Sequence, residues 1–268
     1  MGVEDSRLAA EGLELRYDDR VVVAGLDIAV PNDRFSVIVG PNACGKSTLL
    51  RGLARILRPH AGRVLLDGRT IHSMPAKEVA RTLGMLPQSA VAPETITVLD
   101  LVGRGRFPHQ SLLRQWSEAD QLAVEQAMAA AGVTELAERP VDELSGGQRQ
   151  RAWLAMVLAQ QTELLLRDEP TTFLDITHQL DVLDLCADLR LDGYTIVAVL
   201  HDLNHACRYA DHLIAMVDGR IVASGPPEEV VTPELVAEVF GLACTIIPDP
   251  ATGTPMVVPA DRSRRARR

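Results

Sequence analysis

The chain has 268 residues, 47% of them hydrophobic, with a net charge of −9 and a pI near 5.3. That hydrophobic share can bury a sizeable core in one large domain with a subdomain and excludes a disordered chain, while the acidic balance argues against nucleic acid as the main partner. No stretch approaches the ~18–20 uninterrupted apolar residues of a membrane span, and the acidic start Met1-Gly2-Val3-Glu4-Asp5 lacks the basic, then apolar, character of a signal peptide, so a cytosolic protein is expected.

Residues from about Leu8 to Arg34 alternate between turn residues, as a small antiparallel sheet does, and Gly62 to Gly68 reads as another of its strands. The core begins at Phe35-Ser36-Val37-Ile38-Val39. This run feeds Gly40-Pro41-Asn42-Ala43-Cys44-Gly45-Lys46-Ser47-Thr48, which has the G-x-x-x-x-G-K-[ST] spacing in a strand, loop and helix-start context. Such a loop turns backbone N–H groups around a β-phosphate, and the helix starting near Lys46 points its positive end at the same anion. Lys46 is expected to reach the β- and γ-phosphates and Ser47 to ligate Mg²⁺.

From about Ser89 to Gln160 the pattern turns helical, most clearly over Glu118 to Ala131, and Leu144-Ser145-Gly146-Gly147-Gln148 lies near its end. Glycines without Cβ allow close approach to a phosphate, and a helix follows. The apolar Leu164-Leu165-Leu166 then reads as a buried parallel strand delivering Asp168 and Glu169 at its C-terminal edge. Adjacent strand residues face opposite ways, so the two acids are expected to differ in role: Asp168 for Mg²⁺, Glu169 as general base toward the attacking water. Strand and helix alternate onward through Gln179–Leu189 and Thr195–Leu200, the rhythm of a parallel sheet. His201 ends the last of these strands; it could contact a γ-phosphate and orient the water. His178, His205 and His212 match no catalytic element. Beyond Gly225, turns and a helix over Pro233–Phe240 form an appendage, and there is no internal repeat.

These elements together resemble the nucleotide-binding subunit of an ATP-binding-cassette (ABC) transporter, over nearly the whole chain. The resemblance implies an α/β fold with a RecA-like parallel-sheet core, an N-terminal antiparallel β subdomain and an inserted α-helical subdomain. It divides the single domain at about 1–88 (β subdomain and phosphate-loop core), 89–160 (helical subdomain), 161–225 (core) and 226–268 (C-terminal appendage). It further implies that Tyr17 stacks on adenine and that Gln88 touches Mg²⁺ and senses the membrane partner. Ser145 to Gln148 are the signature, Leu174-Asp175 a dimer-contact loop, and His201 the switch histidine. In that family the signature completes the ATP site of a second subunit, so a head-to-tail homodimer holding ATP and Mg²⁺ is expected. Separate transmembrane permease subunits and, indirectly, an external substrate-binding protein complete the assembly, at the cytoplasmic face of a bacterial membrane. The segments around the phosphate loop, the acid pair and His201 resemble ferric-siderophore importer ATPases most, then cobalamin and haem importers. A soluble ABC ATPase, such as an iron–sulfur assembly factor, is the alternative of another class.

Two positions depart from the family. Ala43 stands where glycine is frequent, so the backbone there either avoids positive φ or accepts ~1 kcal/mol of strain. Arg167 precedes the metal-binding acid where an apolar residue is usual; an unpaired guanidinium in a packed layer costs on the order of 3–5 kcal/mol unless it reaches a carboxylate or water. Four cysteines show no C-x-x-C spacing, and Cys44, near a helix N-terminus, is expected to have a lowered thiol pKa. Lys46 and Lys77 are the only lysines, and the tail Arg262 to Arg268 is basic, suited to anionic lipid or to a solvated terminus.

Overall fold

The computed structural model describes residues 6–86, 93, 95–111, 116–168 and 176–260, with the backbone alone at 176–178. The alternating N-terminal segment forms strands β1 (Leu8–Tyr17) and β2 (Arg20–Val30), paired antiparallel with Leu8 opposite Val30. The apolar run becomes β3 (Phe35–Val39), buried at every residue, and the phosphate loop leads into α1 (Lys46–Leu53). Strands β4 (Ala61–Leu66) and β5 (Arg69–Thr70) return to the antiparallel sheet, whose order is β2-β1-β4-β5.

Helix α2 (Ala76–Thr82) is followed by β6 (Leu83–Leu86). The helical segment holds α3 (Val98–Gly103), α4 (Glu118–Ala130) and α5 (Gly146–Leu158). Each starts on a hydroxyl cap, from Thr97, Ser117 and Ser145 in turn, which satisfies N–H groups the first helical turn leaves open. Strand β7 (Leu164–Arg167), helix α6 (Ile176–Leu191), strand β8 (Thr195–Val199), helix α7 (Leu203–Tyr209) and the hairpin β9 (His212–Val217) and β10 (Arg220–Gly225) complete the core.

The central sheet has six strands in the order β10-β9-β3-β8-β7-β6, parallel except at the β10 edge. Both faces of a parallel sheet must be covered, and each face here carries its own core. Ile38, Leu164, Leu166, Val197 and Val199 pack toward α1 and the antiparallel sheet. Val37, Leu165 and Ala198 pack toward α5 and α6, in an apolar cluster that continues into the helical segment through Leu101, Val124 and Leu154.

After the short α8 (Pro227–Val230), α9 spans Pro233–Phe240 with Thr232 as N-cap and Gly241, at φ 64°, ending it. The final hairpin, β11 (Cys244–Pro248) and β12 (Pro255–Pro259), has no counterpart in the sequence reading, because prolines at both its ends read as turns. The Asn204 amide holds it to α7. Its Nδ2 donates to the Val257 carbonyl at 3.3 Å, and the Val257 N–H donates to its Oδ1 at 2.7 Å.

Candidate active site

The phosphate loop closes over the C-terminal end of β3. At Gly40, φ 152°, a Cβ would lie 2.2 Å from the Met216 carbonyl of β9, so only glycine fits. Gly45, the N-cap of α1 at φ 108°, faces the Val22 carbonyl, which a Cβ would meet at 3.0 Å. The turn between β9 and β10 props the loop from behind, with the Gly219 N–H donating to the Cys44 carbonyl at 2.9 Å. Ala43 adopts φ 63°, so of the two courses open to it the backbone takes the strained one.

Inside this curve the Lys46 ammonium donates to the Gly40 and Pro41 carbonyls at 2.9 and 2.8 Å. One residue on, the Ser47 hydroxyl donates to Asp168 Oδ1 at 2.7 Å. Asp168, 2% exposed, immediately follows β7, and its Oδ2 lies 3.9 Å from Arg51 Nη2. Arg51 was missed in the sequence, although it stands four residues after Ser47 and hence on the same helix face. A buried carboxylate touching a serine hydroxyl is a hard-oxygen pair, which suits Mg²⁺. Among the described residues no three His, Cys, Asp or Glu side chains stand together as a metal cluster, so phosphate and water would have to supply the remaining ligands.

A cavity of about 500 Å³ opens beside the loop, lined by Tyr17, Arg20, Val22, Asn42 to Ala43, Gly45 to Thr48 and His201. Tyr17, 42% exposed at the end of β1, offers a ring face at its rim. The structure thus gathers Tyr17, Lys46, Ser47 and His201, from three separate stretches of chain, around one space. Arg20 and Val22 carried no signal, since nothing local distinguishes a hairpin residue that faces a cavity.

The signature stands apart from this cavity, whose lining contains none of Ser145 to Gln148. Ser145 is the N-cap of α5 in a capping box: the Gln148 N–H donates to its hydroxyl at 3.3 Å, and the Ser145 N–H donates to Gln148 Oε1 at 3.1 Å. Ser145 and Gly146 are exposed, so a helix N-terminus with its partial positive charge faces outward. Gln88, Glu169, Leu174, Asp175 and the tail from Arg262 to Arg268 lie outside the described residues, as does the side chain of His178.

The expectation for Cys44 is corrected. Burial is the largest influence on the Cys44 thiol and pushes its pKa up, with Lys46 offsetting this only in part. Desolvation therefore outweighs the helix terminus, and Cys44 is a small buried thiol. Arg167, 3% exposed, is paired within the layer: its Nη2 donates to Gln150 Oε1 at 2.5 Å, with Cys186 as a further hydrogen-bond partner. His212 bonds Ser224 across the β9–β10 hairpin at 2.8 Å, away from the cavity.

The model of the family described as ABC transporter matches residues 23–172. The chain belongs to the ABC transporter family. The cassette is an ATPase, as the ATP-binding proteins of this family are. The ferric enterobactin transport ATP-binding protein of Escherichia coli is 55% identical over 96% of this chain and 96% of that protein. A probable siderophore transport system ATP-binding protein of Bacillus subtilis is 52% identical over 97% and 94%, and the petrobactin import ATP-binding protein of Bacillus anthracis 52% over 97% and 96%. A cobalamin import ATP-binding protein of Halobacterium salinarum is 37% identical, over 97% of this chain and 65% of that one. Among solved structures, an ABC transporter of metal-chelate type in an inward-facing conformation superposes with a TM-score of 0.82 at 28% identity, covering 96% of this chain and 98% of that one.

Proposed function

We propose that this chain is the ATP-hydrolysing subunit of a bacterial importer of ferric siderophores, held at the cytoplasmic face of the cell membrane by separate permease subunits. The observation that carries this reading is the identity of 52–55% to proteins named for siderophore transport, against 37% to one named for cobalamin import. The cargo itself is a ferric chelate that no residue of the cassette need touch, since selection belongs to the permease and an external binding protein.

In the proposed cycle the loop N–H groups and Lys46 bind the β- and γ-phosphates, exchanging the loop carbonyls for phosphate oxygens. Tyr17 stacks on the base. Ser47 and Asp168 hold Mg²⁺, which when bound neutralises charge on the phosphate oxygens. Glu169 takes a proton from the attacking water, and His201 orients that water against the γ-phosphate. Gln88 links the metal site to the permease.

The outward signature, which takes no part in lining its own chain's cavity, supports completion of each site by the second subunit, with Ser145 to Gln148 aimed at a γ-phosphate held across a head-to-tail dimer. A cleft of about 580 Å³ in the helical segment, lined by Ile96, Leu99, Phe107 and Trp116 among others, supports docking of a permease segment there. Phe107 and Trp116 are 58% and 48% exposed beside this cleft, apolar surface of the kind that a docked segment would cover.

The test is uptake of radiolabelled ferric siderophore in cells deleted for the gene and complemented with the native chain or with Glu169→Gln. Rescue by the native chain alone is expected. Uptake unchanged by the deletion would overturn siderophore import in favour of cobalamin or haem.

A further inference from the structure

Strand β7 turns successive side chains to opposite faces of the central sheet. Leu164 and Leu166 pack on the α1 side, and Leu165 packs on the side of α5 and α6. Arg167 follows the same alternation, so its guanidinium enters the layer between sheet and helices, where it donates to Gln150 of α5 at 2.5 Å. The next residue, Asp168, turns back to α1 and meets Ser47. Gln150 lies two residues beyond the signature, in the second turn of the helix that Ser145 caps. A single side chain therefore spans from the strand that delivers the metal-site acid to the helix that presents the signature.

Stability alone gives little reason for such a group. Burying a guanidinium is costly, and apolar residues of similar volume commonly serve a packed layer as well or better. The bond does restrict relative movement. A charged, planar donor held on a side-chain amide fixes direction as well as distance, and it sits where a shift of the Asp168 backbone on cation binding would be felt by α5.

We propose that Arg167 is a positioning residue that locks the signature helix to the metal-acid strand, so that engagement of Asp168 in one ATP site sets the pose of the signature serving the other. This rests on the head-to-tail reading above, in which Asp168 and Ser145 of one chain act on different nucleotides. The consequence is coupling between sites that are otherwise built from separate chains.

The experiment compares the native cassette with Arg167→Leu, Gln150→Leu, the double variant and Arg167→Lys, each assembled with its permease in detergent or nanodiscs. ATP hydrolysis is followed against ATP concentration, and melting temperature is recorded in parallel. The native complex should show a Hill coefficient approaching ~2, the limit for two sites. Arg167→Leu and Gln150→Leu should each lower it part of the way toward ~1, with the double variant lowering it no further than either alone, the mark of one shared interaction. Arg167→Lys should retain part of the cooperativity. Melting of Arg167→Leu should be unchanged or raised, which separates positioning from scaffolding; if that variant fails to fold, Gln150→Leu carries the same reading. A native coefficient above 1 that the variants leave unaltered, or effects that simply add, would overturn the role of Arg167. A native coefficient of 1 would overturn the two-site reading and the proposal with it.

Discussion

The Ser47 hydroxyl donates to Asp168 Oδ1 at 2.7 Å, joining the start of α1 to the end of β7 across 121 positions of sequence. The pair sets two hard oxygens side by side with the acid almost fully buried, so, if it holds Mg²⁺ as proposed, removing the charge should disable metal binding while leaving the fold intact. Asp168→Asn keeps the shape and can still accept from Ser47. Its kcat should fall by about 10²-fold or more, with melting within a few degrees of native. Titration calorimetry should find Mg²⁺ no longer strengthening ATP binding.

Ala43 holds a left-handed backbone at φ 63° in the phosphate loop. Ala43→Gly removes the Cβ conflict, and the gain should slightly exceed the added freedom of the unfolded chain, leaving up to ~1 kcal/mol of stabilisation. In a chain of this size that is a rise of roughly 2–4 °C in Tm, measurable by differential scanning fluorimetry.

Arg106 and Asp120 form a buried ion pair at 2.8 Å, with side chains 5% and 7% exposed, and Arg106 also donates to the Ala159 carbonyl at 2.6 Å. Arg106→Ala strands the carboxylate and should cost about 3–5 kcal/mol in urea denaturation. Burial alone would raise the Asp120 pKa, but hydrogen bonds from Ser117 and Arg106 outweigh it and hold the carboxyl below its ordinary value. The unfolded chain therefore takes up this proton first as pH falls. The stabilisation is complete above the unfolded value of ~4 and is lost as pH drops through the lower folded value. Asp120→Asn should flatten the stability–pH curve below pH ~4.

Tyr17 lies at the rim of the cavity beside the phosphate loop, and its hydroxyl meets Arg51 only at 3.4 Å. If the ring stacks on a base, Tyr17→Ala should weaken ATP binding by ~1–3 kcal/mol, whereas Tyr17→Phe should bind within about twofold of native. Fluorescent-nucleotide titration distinguishes the two; equal losses would mean the hydroxyl rather than the ring is what matters.

The phosphate loop, the signature cap and the acid strand were legible in the sequence because each depends on residues a few positions apart. Gly40 to Thr48 carries its own spacing, Ser145 and Gln148 form a capping box within one helical turn, and the twofold period of β7 already sends Arg167 and Asp168 to opposite faces. Helix α9, with Thr232 before and Gly241 after, was readable for the same reason. What only the tertiary structure decided lies between distant segments. The positive φ of Ala43, the Met216 carbonyl that forbids a side chain at Gly40, the amide that receives Arg167 and the clamp of Asn204 on β12 are all set by chain that comes close only on folding. Local propensity acts over a turn or a strand, whereas the partner of a buried polar group is chosen by whichever segment the core brings alongside it.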